Sequence, residues 1–439
     1  MNRHAINRTA ALVAACIAGV AAAMPASAAS TASTAVVVSD ATALQRALAS
    51  AHSGDRILVR PGEYRIGQTL VVPDGVSVEG SGVMQGSSLP TGFKPGTETA
   101  IVALPRLTGD TVILNNGASL RALVVRQDVN DHSGNAVSVG SRRPSDSVSA
   151  TIVECEIVNP NGPSGGPDGP TGGGVAVLTN NRGGAAAPAP DEGAEVTLAM
   201  RRSIVRSPGD APAVFAINSA RNGHIGLRLD LNVVGGRIDA AGGVSRGDLV
   251  TGATLTIDST SNLYAPETAS PGWTIVGGSS PPNPAIGTAG ASSNVVRIGS
   301  TGDRIDGAPV GIQAFGGQRL GTEFGPSSDN RVDLVIAGLA LRTVATDGPA
   351  SDLVLAGAAS VCFCESSEFR PGDRDVVRIS LRDSIGSGPR DNVYTDVLGP
   401  TLPGNLGTGN RLAFAGTPAD FAASNRRIDP APDASSFVG

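Results

Sequence analysis

The chain has 439 residues, among them 58 glycines, 30 prolines and a single tryptophan, and its formal net charge at pH 7 is −6. An apolar share of 40% excludes a disordered chain, and the mild acidity argues against nucleic acid as a partner, because nucleic-acid binding needs a basic surface. Many turns and few bulky aromatic residues favour a thin core repeated along a solenoid, since a single globular core rarely grows to this length.

The first residues have the layout of a secretory signal. Arg3 and Arg8 precede an apolar, alanine-rich run over residues 9–23, and Pro25-Ala26-Ser27-Ala28 resembles a cleavage site. The run is too short to span a bilayer, and glycine, proline or charge interrupts every later apolar run. We therefore expect a signal peptide at residues 1–28, a secreted or periplasmic protein cleaved near Ala28, and no membrane span.

One helix and three very short strands follow. The helix is expected over about residues 40–51, with Asp40 or Thr42 as its N-cap and apolar residues at helical spacing. The strands are expected near residues 56–60, 69–72 and 76–82, with Gly/Pro turns between them. This order predicts the opening turn of a three-sided coil.

The residues from Gly54 to Gly82 carry a recognisable pattern. They read G-D-x-I-x-V-x-P-G-x-Y and then x-L-x-V-P-x-G-V-x-V-x-G-x-G. Together with the preceding helix, this pattern resembles the N-terminal cap and first rung of the pectin-lyase-like β-helix superfamily, over about fifty residues; many chemistries share that scaffold. The resemblance implies an all-β fold: a right-handed parallel β-helix, that is, a three-sided solenoid, with an N-terminal capping helix.

Comparable apolar strands recur along the rest of the chain, with Gly/Pro-rich insertions between them. We expect them near residues 118–125, 150–153, 196–200, 225–231, 295–298, 332–336 and 376–381. Residues 29–425 are therefore predicted to form one β-helix domain, closed by a short helix over 418–425, with a flexible tail at 426–439. An antiparallel β-sandwich is the alternative, but it accounts poorly for the capping helix.

The superfamily also implies a chemistry. In its lyases an arginine or lysine abstracts the proton next to a uronate carboxylate, while acidic residues or calcium neutralise that carboxylate. Lys94 is the only lysine, so an arginine would have to serve as the base. The polygalacturonase, pectin methylesterase and alginate epimerase signatures are absent, and sugar-stacking aromatic residues are scarce, which weakens the case for an enzyme.

Charged residues on strands that are predicted neighbours supply the candidate site. They are Arg126, Glu154, Glu156, Arg201, Arg202, Arg228 and Asp230. We assign Arg126, Glu154 and Arg201, with His132, as catalytic candidates, and Glu156, Arg202 and Arg228 as substrate-binding candidates. The alternative is a ladder of cross-strand ion pairs on a solvated face, which is the usual fate of such charges.

A polar loop around residues 126–135 is the second candidate. Asp128, Asn130 and Asp131 could supply oxygen ligands to Ca²⁺, and His132 could work with Arg126 as an acid–base pair. The alternative is a polar turn whose side chains cap backbone groups. No cofactor is required by the sequence, and Ca²⁺ is the metal that the loop would suit.

Three cysteines remain after signal cleavage: Cys155, Cys362 and Cys364. An odd number leaves at least one thiol unpaired. Cys362 and Cys364 would lie about 6.6 Å apart on one face of a strand, at the upper edge of disulfide reach. A strained disulfide and two buried thiols both remain open.

Two functions fit the sequence. One is an exported β-helix protein that binds or cleaves an acidic polysaccharide, as a lyase if it is catalytic. The other is a non-catalytic periplasmic or cell-surface solenoid that serves as a scaffold or adhesin. In both cases we expect a monomer that binds no nucleic acid.

Overall fold

A computed structural model of the chain describes residues 35–127, 134–161, 172–179, 192–209, 211–245, 249–267, 270–279, 289–320, 327–345, 350–359, 369–386, 392–398, 409–414 and 425–427. These residues belong to one compact unit, Thr34–Gly439. The predicted signal peptide, residues 1–28, lies outside the described residues. Within the described ranges, no helix has the length and hydropathy needed to cross a lipid bilayer.

The chain folds as a right-handed parallel β-helix in which three long parallel sheets receive one strand each per turn. Sheet 1 stacks β1 (Ala35–Val38), β2 (Arg56–Val59), β5 (Ser77–Glu79), β10 (Ala118–Arg121), β13 (Ser147–Val153), β16 (Glu195–Arg201), β19 (His224–Asp230), β23 (Thr254–Thr260), β27 (Val295–Thr301), β30 (Arg331–Ala337), β34 (Val376–Arg382) and β37 (Arg411–Phe414). Sheet 2 stacks β3 (Gly62–Ile66), β8 (Thr99–Ala103), β11 (Val124–Arg126), β14 (Glu156–Val158), β17 (Ile204–Arg206), β20 (Val233–Gly235), β24 (Leu263–Tyr264), β28 (Arg304–Asp306), β31 (Ala340–Arg342) and β35 (Ile385–Gly386).

Sheet 3 completes each rung. It stacks β4 (Leu70–Val72), β9 (Val112–Leu114), β12 (Val137–Gly140), β15 (Val175–Leu178), β18 (Val214–Ile217), β21 (Ile238–Ala241), β25 (Trp273–Ser279), β29 (Val310–Leu320), β32 (Ser351–Ala359), β36 (Asn392–Leu398) and β38 (Asn425–Arg427), and β33 (Phe369–Pro371) pairs antiparallel with β29. Two small pairs lie outside the three sheets: β6 (Met84–Gln85) with β7 (Gly92–Phe93), and β22 (Val250–Thr251) with β26 (Ala291–Ser292).

The core is a stack of apolar residues in register. In sheet 1, buried and solvent-facing residues alternate along the seven-residue strands, as a two-residue period requires. One inward column consists of Leu198, Leu227, Ile257, Ile298, Leu334 and Ile379, all of them buried. Short aliphatic side chains stacked at every rung therefore supply a core that needs few aromatic residues.

The capping helix is confirmed as α1 (Ala41–Ser50), and it begins after the predicted N-cap. The Asp40 carboxylate accepts a hydrogen bond from the Ala43 backbone N–H at 2.8 Å. Leu44 and Leu48 are buried, and the helix contacts β1, β2, β3 and β4. It therefore covers the apolar core at its N-terminal end.

A ladder of buried polar side chains holds the corner between sheets 1 and 2. Each member accepts a hydrogen bond from the backbone of the rung before it: Ser203 from Cys155, Asn232 from Ser203, Asn262 from Asn232 and Asp303 from Asn262. The residue before each ladder position has a positive φ, as at Arg202, where φ is 47°. The ladder fixes this sharp corner in the same conformation at successive rungs.

The last described strand includes residues for which the sequence predicted a closing helix and a tail. The strand β38 contains Arg426 and Arg427, two residues of the predicted tail, and Asn425, the last residue of the predicted closing helix.

Cys155 is an unpaired, buried thiol, and burial raises the pKa of Cys155 to about 12. Cys362 and Cys364 lie outside the described residues.

Candidate functional site

The predicted charged residues divide between two faces of the β-helix and the corner that joins them. Arg201, Arg228 and Asp230 are on the outer face of sheet 1. Arg126 and Glu156 belong to sheet 2, whereas Glu154 and Arg202 occupy the corner between the two sheets. The structure therefore does not bring Arg126 and Arg201 onto one face.

Most of these charges pair with a neighbour of opposite sign on the next rung. The shortest contact of each pair joins Arg201 Nε to Asp230 Oδ2 at 3.2 Å, and Arg202 Nε to Glu154 Oε1 at 3.6 Å. Arg228 stands in register beside Asp258. Exposed pairs of this kind contribute about 1 kcal/mol or less each. The arrangement is that of the ion-pair ladder considered as the alternative.

Arg202 has an additional contact that the sequence did not indicate. Its guanidinium donates to the carbonyl oxygen of Gly86 at 2.7 Å and to that of Ser87 at 3.3 Å. Both carbonyls belong to the turn of the β6–β7 hairpin. Arg202 thus attaches this hairpin to the corner between sheets 1 and 2.

We expect Arg202→Gln to loosen the β6–β7 hairpin, because glutamine cannot reach both the Gly86 and the Ser87 carbonyl. The free energy of unfolding should change by about 1 kcal/mol or less, because the Arg202–Glu154 ion pair that is also lost lies near the surface. Limited proteolysis followed by mass spectrometry would show faster cleavage between residues 83 and 97. Arg201→Gln, which removes the adjacent arginine on the sheet 1 face, is the control. Equal cleavage of the two variants would contradict the attachment.

The residues that directly follow the polar loop are held by hydrogen bonds to Asp110. Asp128, Asn130, Asp131 and His132 lie outside the described residues. Asn135, just after the loop, donates from its backbone N–H and from Nδ2 to Asp110 Oδ1, both at 2.8 Å, and Ser138 Oγ donates to Asp110 Oδ2 at 2.6 Å. Sequence reasoning missed Asp110, because only the stacking of β9 on β12 brings it beside Asn135 and Ser138.

Sequence reasoning missed the partners of Glu156 and a second ion pair, which lie towards the corner between sheets 2 and 3. Arg206 lies 3.6 Å from the Glu156 carboxylate and 3.1 Å from that of Glu267. Arg237 Nε donates to both carboxylate oxygens of Asp239, at 3.1 and 3.0 Å. Burial raises the pKa of Asp239, and the neighbouring Arg237 opposes that rise. The signal was present as an R-x-D pattern, which puts both side chains on one face of a strand.

Large apolar residues on the outer face of sheet 3 are buried. Its outward residues Phe215, Val276, Phe315 and Val354 are at most 3% exposed. Val276, Phe315 and Val354 belong to one apolar cluster, separate from the main core. A broad solvent-facing strand surface in the C-terminal half of the described chain is that of sheet 1, whose seven-residue strands are longer than the neighbouring strands of sheet 2.

That surface carries a cluster that we call the basic strip: Arg297, Arg331, Asp333, Arg378 and Arg411. Arg297, Asp333 and Arg378 stand in register on three successive strands, β27, β30 and β34. Arg331 Nε donates to Asp333 Oδ1 at 2.7 Å, and Arg411 follows on β37. The basic strip thus contains four guanidinium groups and one carboxylate, and that carboxylate is hydrogen-bonded to Arg331.

The basic strip differs from the first rungs of the same face, where Arg56 and Glu79 approach to 2.6 Å. A column of uncharged residues, Gly299, Val335 and Ser380, runs beside the strip, and Val335 is 60% exposed. The turn next to the strip carries Arg374 paired with Asp329 at 2.7 Å, so those two charges offset each other. The excess positive charge belongs to the strand face itself.

Comparison with known proteins concerns the fold. No protein-family model and no curated protein sequence matches the chain. Among solved structures, tailspike protein 2 of an Escherichia coli O157:H7 bacteriophage is 11% identical over 85% of this chain, with a TM-score of 0.43, and the chain spans 43% of that tailspike. The mannuronan C-5 epimerase AlgE6 A-module of Azotobacter vinelandii is 14% identical, with 90% of this chain and 96% of that one covered and a TM-score of 0.40. The GH87 α-1,3-glucanase of Streptomyces thermodiastaticus is 13% identical, with coverages of 93% and 71% and a TM-score of 0.34.

Proposed function

Since the chain is a right-handed parallel β-helix, whose stacked strands form long flat faces, we propose that it binds an acidic polysaccharide along the basic strip. The observation that carries the proposal is the excess of four arginines over one carboxylate, Asp333, on a strand face where only Arg331 is paired with that carboxylate. This face belongs to a chain whose formal net charge is −6, so the local excess of positive charge is not a reflection of overall composition.

The geometry suits a linear polyanion. Successive strands of a sheet lie about 4.8 Å apart, so Arg297 and Arg378, two strands apart, project at roughly twice that interval along the β-helix axis. A guanidinium can bind a carboxylate with two parallel hydrogen bonds and is always charged. A polysaccharide that repeats its carboxylates along an extended chain could therefore meet several of these arginines at once.

Two observations favour a polysaccharide over a nucleic acid. The column beside the strip consists of Gly299, Val335 and Ser380, whereas a sequence-tolerant nucleic-acid groove normally offers aromatic side chains on which bases stack. The charge of the whole chain would also repel a polyanion as dense as DNA. Sugar rings, in contrast, can lie against an aliphatic surface such as Val335.

The proposal is for binding. Within the strip, the one carboxylate is held by Arg331, which leaves it poorly suited to act as a free base. Export is part of the proposal, and its support is the signal-like sequence of residues 1–28.

The test is a triple variant, R297Q/R378Q/R411Q, compared with wild type for binding to pectate, alginate and neutral dextran. We expect wild type to bind the acidic polymers but not dextran, and affinity to fall about tenfold for each arginine removed, since a charge-assisted hydrogen bond contributes on the order of 1.5 kcal/mol. Binding of wild type should weaken with added salt, because exposed charges are screened. Isothermal titration calorimetry at two salt concentrations measures both effects.

The matched control is R56Q/R65Q/R121Q, which removes the same charge from the first rungs. This variant should bind like wild type. An equal loss in both triple variants would show that net charge alone governs binding, and tighter binding to DNA than to any acidic polysaccharide would overturn the choice of partner. Release of unsaturated uronides, followed by ultraviolet absorbance, would show that the protein also cleaves its ligand.

A further inference from the structure

A second ladder of buried polar residues runs along the start of the sheet 1 strands, and it contains one carboxylate. Its members are Asn294, Asn330, Asp375 and Asn410. Each side-chain oxygen accepts a hydrogen bond from the backbone N–H of the rung before: Asn294 from Ala253 at 3.0 Å, Asn330 from Asn294 at 3.1 Å, Asp375 from Asn330 at 2.8 Å and Asn410 from Asp375 at 2.8 Å. In this role a carboxylate oxygen and an amide oxygen are equivalent.

The second side-chain atom is where Asp375 differs from its neighbours. The amide nitrogens of Asn330 and Asn410 donate to the carbonyl oxygens of Ala291 and Gly372, at 3.0 and 2.7 Å. Asp375 has an oxygen, Oδ2, in place of that nitrogen. This oxygen is buried and has no hydrogen-bond partner among the described residues.

The carbonyl that completes the series belongs to Ser327. Ser292, Ser328 and Asp373 are bridged across successive rungs, which places Ala291, Ser327 and Gly372 at equivalent positions. A Cβ added at Gly372 would lie 2.0 Å from Asp375 Oδ2 and 2.1 Å from the Ser327 carbonyl oxygen, so the two oxygens share one small space. Two oxygen acceptors placed this way repel each other unless one carries a proton.

The first ladder shows how a carboxylate can be accommodated with both oxygens satisfied. Asp303 Oδ1 accepts from the Asn262 backbone N–H at 2.7 Å, and Oδ2 accepts from the hydroxyl of Ser300, three residues earlier, at 2.6 Å. The residue three positions before Asp375 is Gly372, which has no side chain to donate. The hydrogen bond supplied by serine in one ladder is missing from the other.

We propose that the carboxyl group of Asp375 is protonated in the folded chain and donates a hydrogen bond to the Ser327 carbonyl, forming a proton-dependent latch between the residues that precede β30 and β34. The O–H bond forms when the carboxylate takes a proton from solvent and breaks when the proton returns to solvent, and no other covalent bond changes. The residues of the latch belong to the same rungs as Arg331, Arg378 and Arg411 of the basic strip. The latch does not depend on what those arginines bind.

The surrounding charges favour the protonated form. Burial raises the pKa of Asp375 well above that of an ordinary carboxyl group, and the neighbouring carboxylates of Asp329 and Asp373 raise it further. Hydrogen bonds from Asn330 act in the opposite direction. Arg374 directs two hydrogen bonds, at 2.8 and 2.7 Å, to Asp329 rather than to Asp375.

The sign of the pH effect follows from this rise. The folded state retains a proton that an unfolded aspartate releases near pH ~4. The folded state therefore binds more protons than the unfolded state above that pH, and stability must fall as pH rises until the raised pKa of Asp375 is passed. Below about pH 4 both states are protonated and the contribution is fully present.

The test is Asp375→Asn in the mature chain without polysaccharide, with unfolding followed by circular dichroism and by the fluorescence of Trp273, the single tryptophan. The asparagine amide can donate to Ser327 at every pH. At about pH 8 the variant should have a higher unfolding midpoint than wild type, and near about pH 4 the two midpoints should converge. An equal or lower midpoint for D375N at the higher pH would overturn the latch.

Two further measurements keep the proposal open to test if D375N folds poorly. The reverse variant Asn330→Asp places a second carboxyl group in the ladder and should lose stability more steeply than wild type as pH rises. Infrared spectra of folded wild type at neutral pH should contain a protonated-carboxyl band that is missing from D375N, and its absence from wild type would also overturn the latch. Neither measurement involves a polysaccharide, so failure here leaves the proposed binding function untouched.

Discussion

Replacing Asn262 by leucine is expected to lower the free energy of unfolding by about 4 kcal/mol, because several buried polar groups lose their partners together. Asn262 Oδ1 accepts from the backbone N–H of Asn232 at 2.8 Å, and Asn262 Nδ2 donates to the Leu229 carbonyl at 3.0 Å. Leucine has similar volume but offers neither an acceptor nor a donor. A buried group that is left without a hydrogen bond costs about 1–3 kcal/mol.

Urea unfolding of the chain, monitored by circular dichroism, measures this change. The control is Asn116→Leu, at an exposed turn where the asparagine oxygen accepts from Ser149. Water can replace those contacts, so we expect a loss below about 1 kcal/mol. Similar losses in the two variants would mean that the ladder does not stabilise the fold beyond an ordinary turn.

A methyl group at Gly316 is expected to cost about 3 kcal/mol or to prevent folding, because the strands β29 and β32 approach too closely to admit it. A Cβ at this position would lie 2.1 Å from the Gly357 carbonyl oxygen and 2.7 Å from the Asp375 Cβ. Both obstacles are held by neighbouring rungs, so neither can move away as the end of a flexible side chain could.

Thermal unfolding of Gly316→Ala against Gly299→Ala measures the effect. At Gly299 the nearest atom to an added Cβ is Asp258 Oδ1 at 3.4 Å, an ordinary contact on an exposed face. Alanine loses less conformational entropy than glycine in a strand, so we expect a gain of about 0.5 kcal/mol there. A Gly316→Ala chain as stable as wild type would show that the rungs can separate locally.

The fold was predictable because its signals are local. The pattern from Gly54 to Gly82 contains a complete turn of the solenoid, and the structure explains its details: Tyr64 is buried and its hydroxyl donates to the Arg60 carbonyl at 3.0 Å. The N-cap of α1 is likewise a matter of Asp40 and the three residues after it. Neither feature depends on distant parts of the chain.

Features that depend on stacking were not predictable in the same way. The pairs Gly242-Gly243, Gly277-Gly278 and Gly316-Gly317 were visible in the sequence as glycines. At the second glycine of each pair, however, the space that a Cβ would need is filled by a ladder residue: Asn294, Asn330 or Asp375. The ladder partner of each pair belongs to a later rung. Sequence alone does not state which rung that is.

The candidate site was less predictable still. Arg126 and Arg201 were grouped because both follow apolar strands, yet one belongs to sheet 2 and the other to sheet 1. The arginines of the basic strip come together because insertions of unequal length separate strands that nevertheless stack in register. The alternation of charges in the sequence predicted ion pairs along sheet 1. The excess of arginine in the basic strip became visible only from the register of successive strands, which shows which residues are neighbours.

The position of α1 gives the folding reaction a direction. Its contacts with β1, β2, β3 and β4 all fall within the first part of the described chain, so the first turn closes short loops at low entropic cost. Every later rung then adds to an edge that already exists, as growth follows nucleation. We therefore expect the rungs to form one after another from the amino-terminal end, in the order in which a ribosome would supply them.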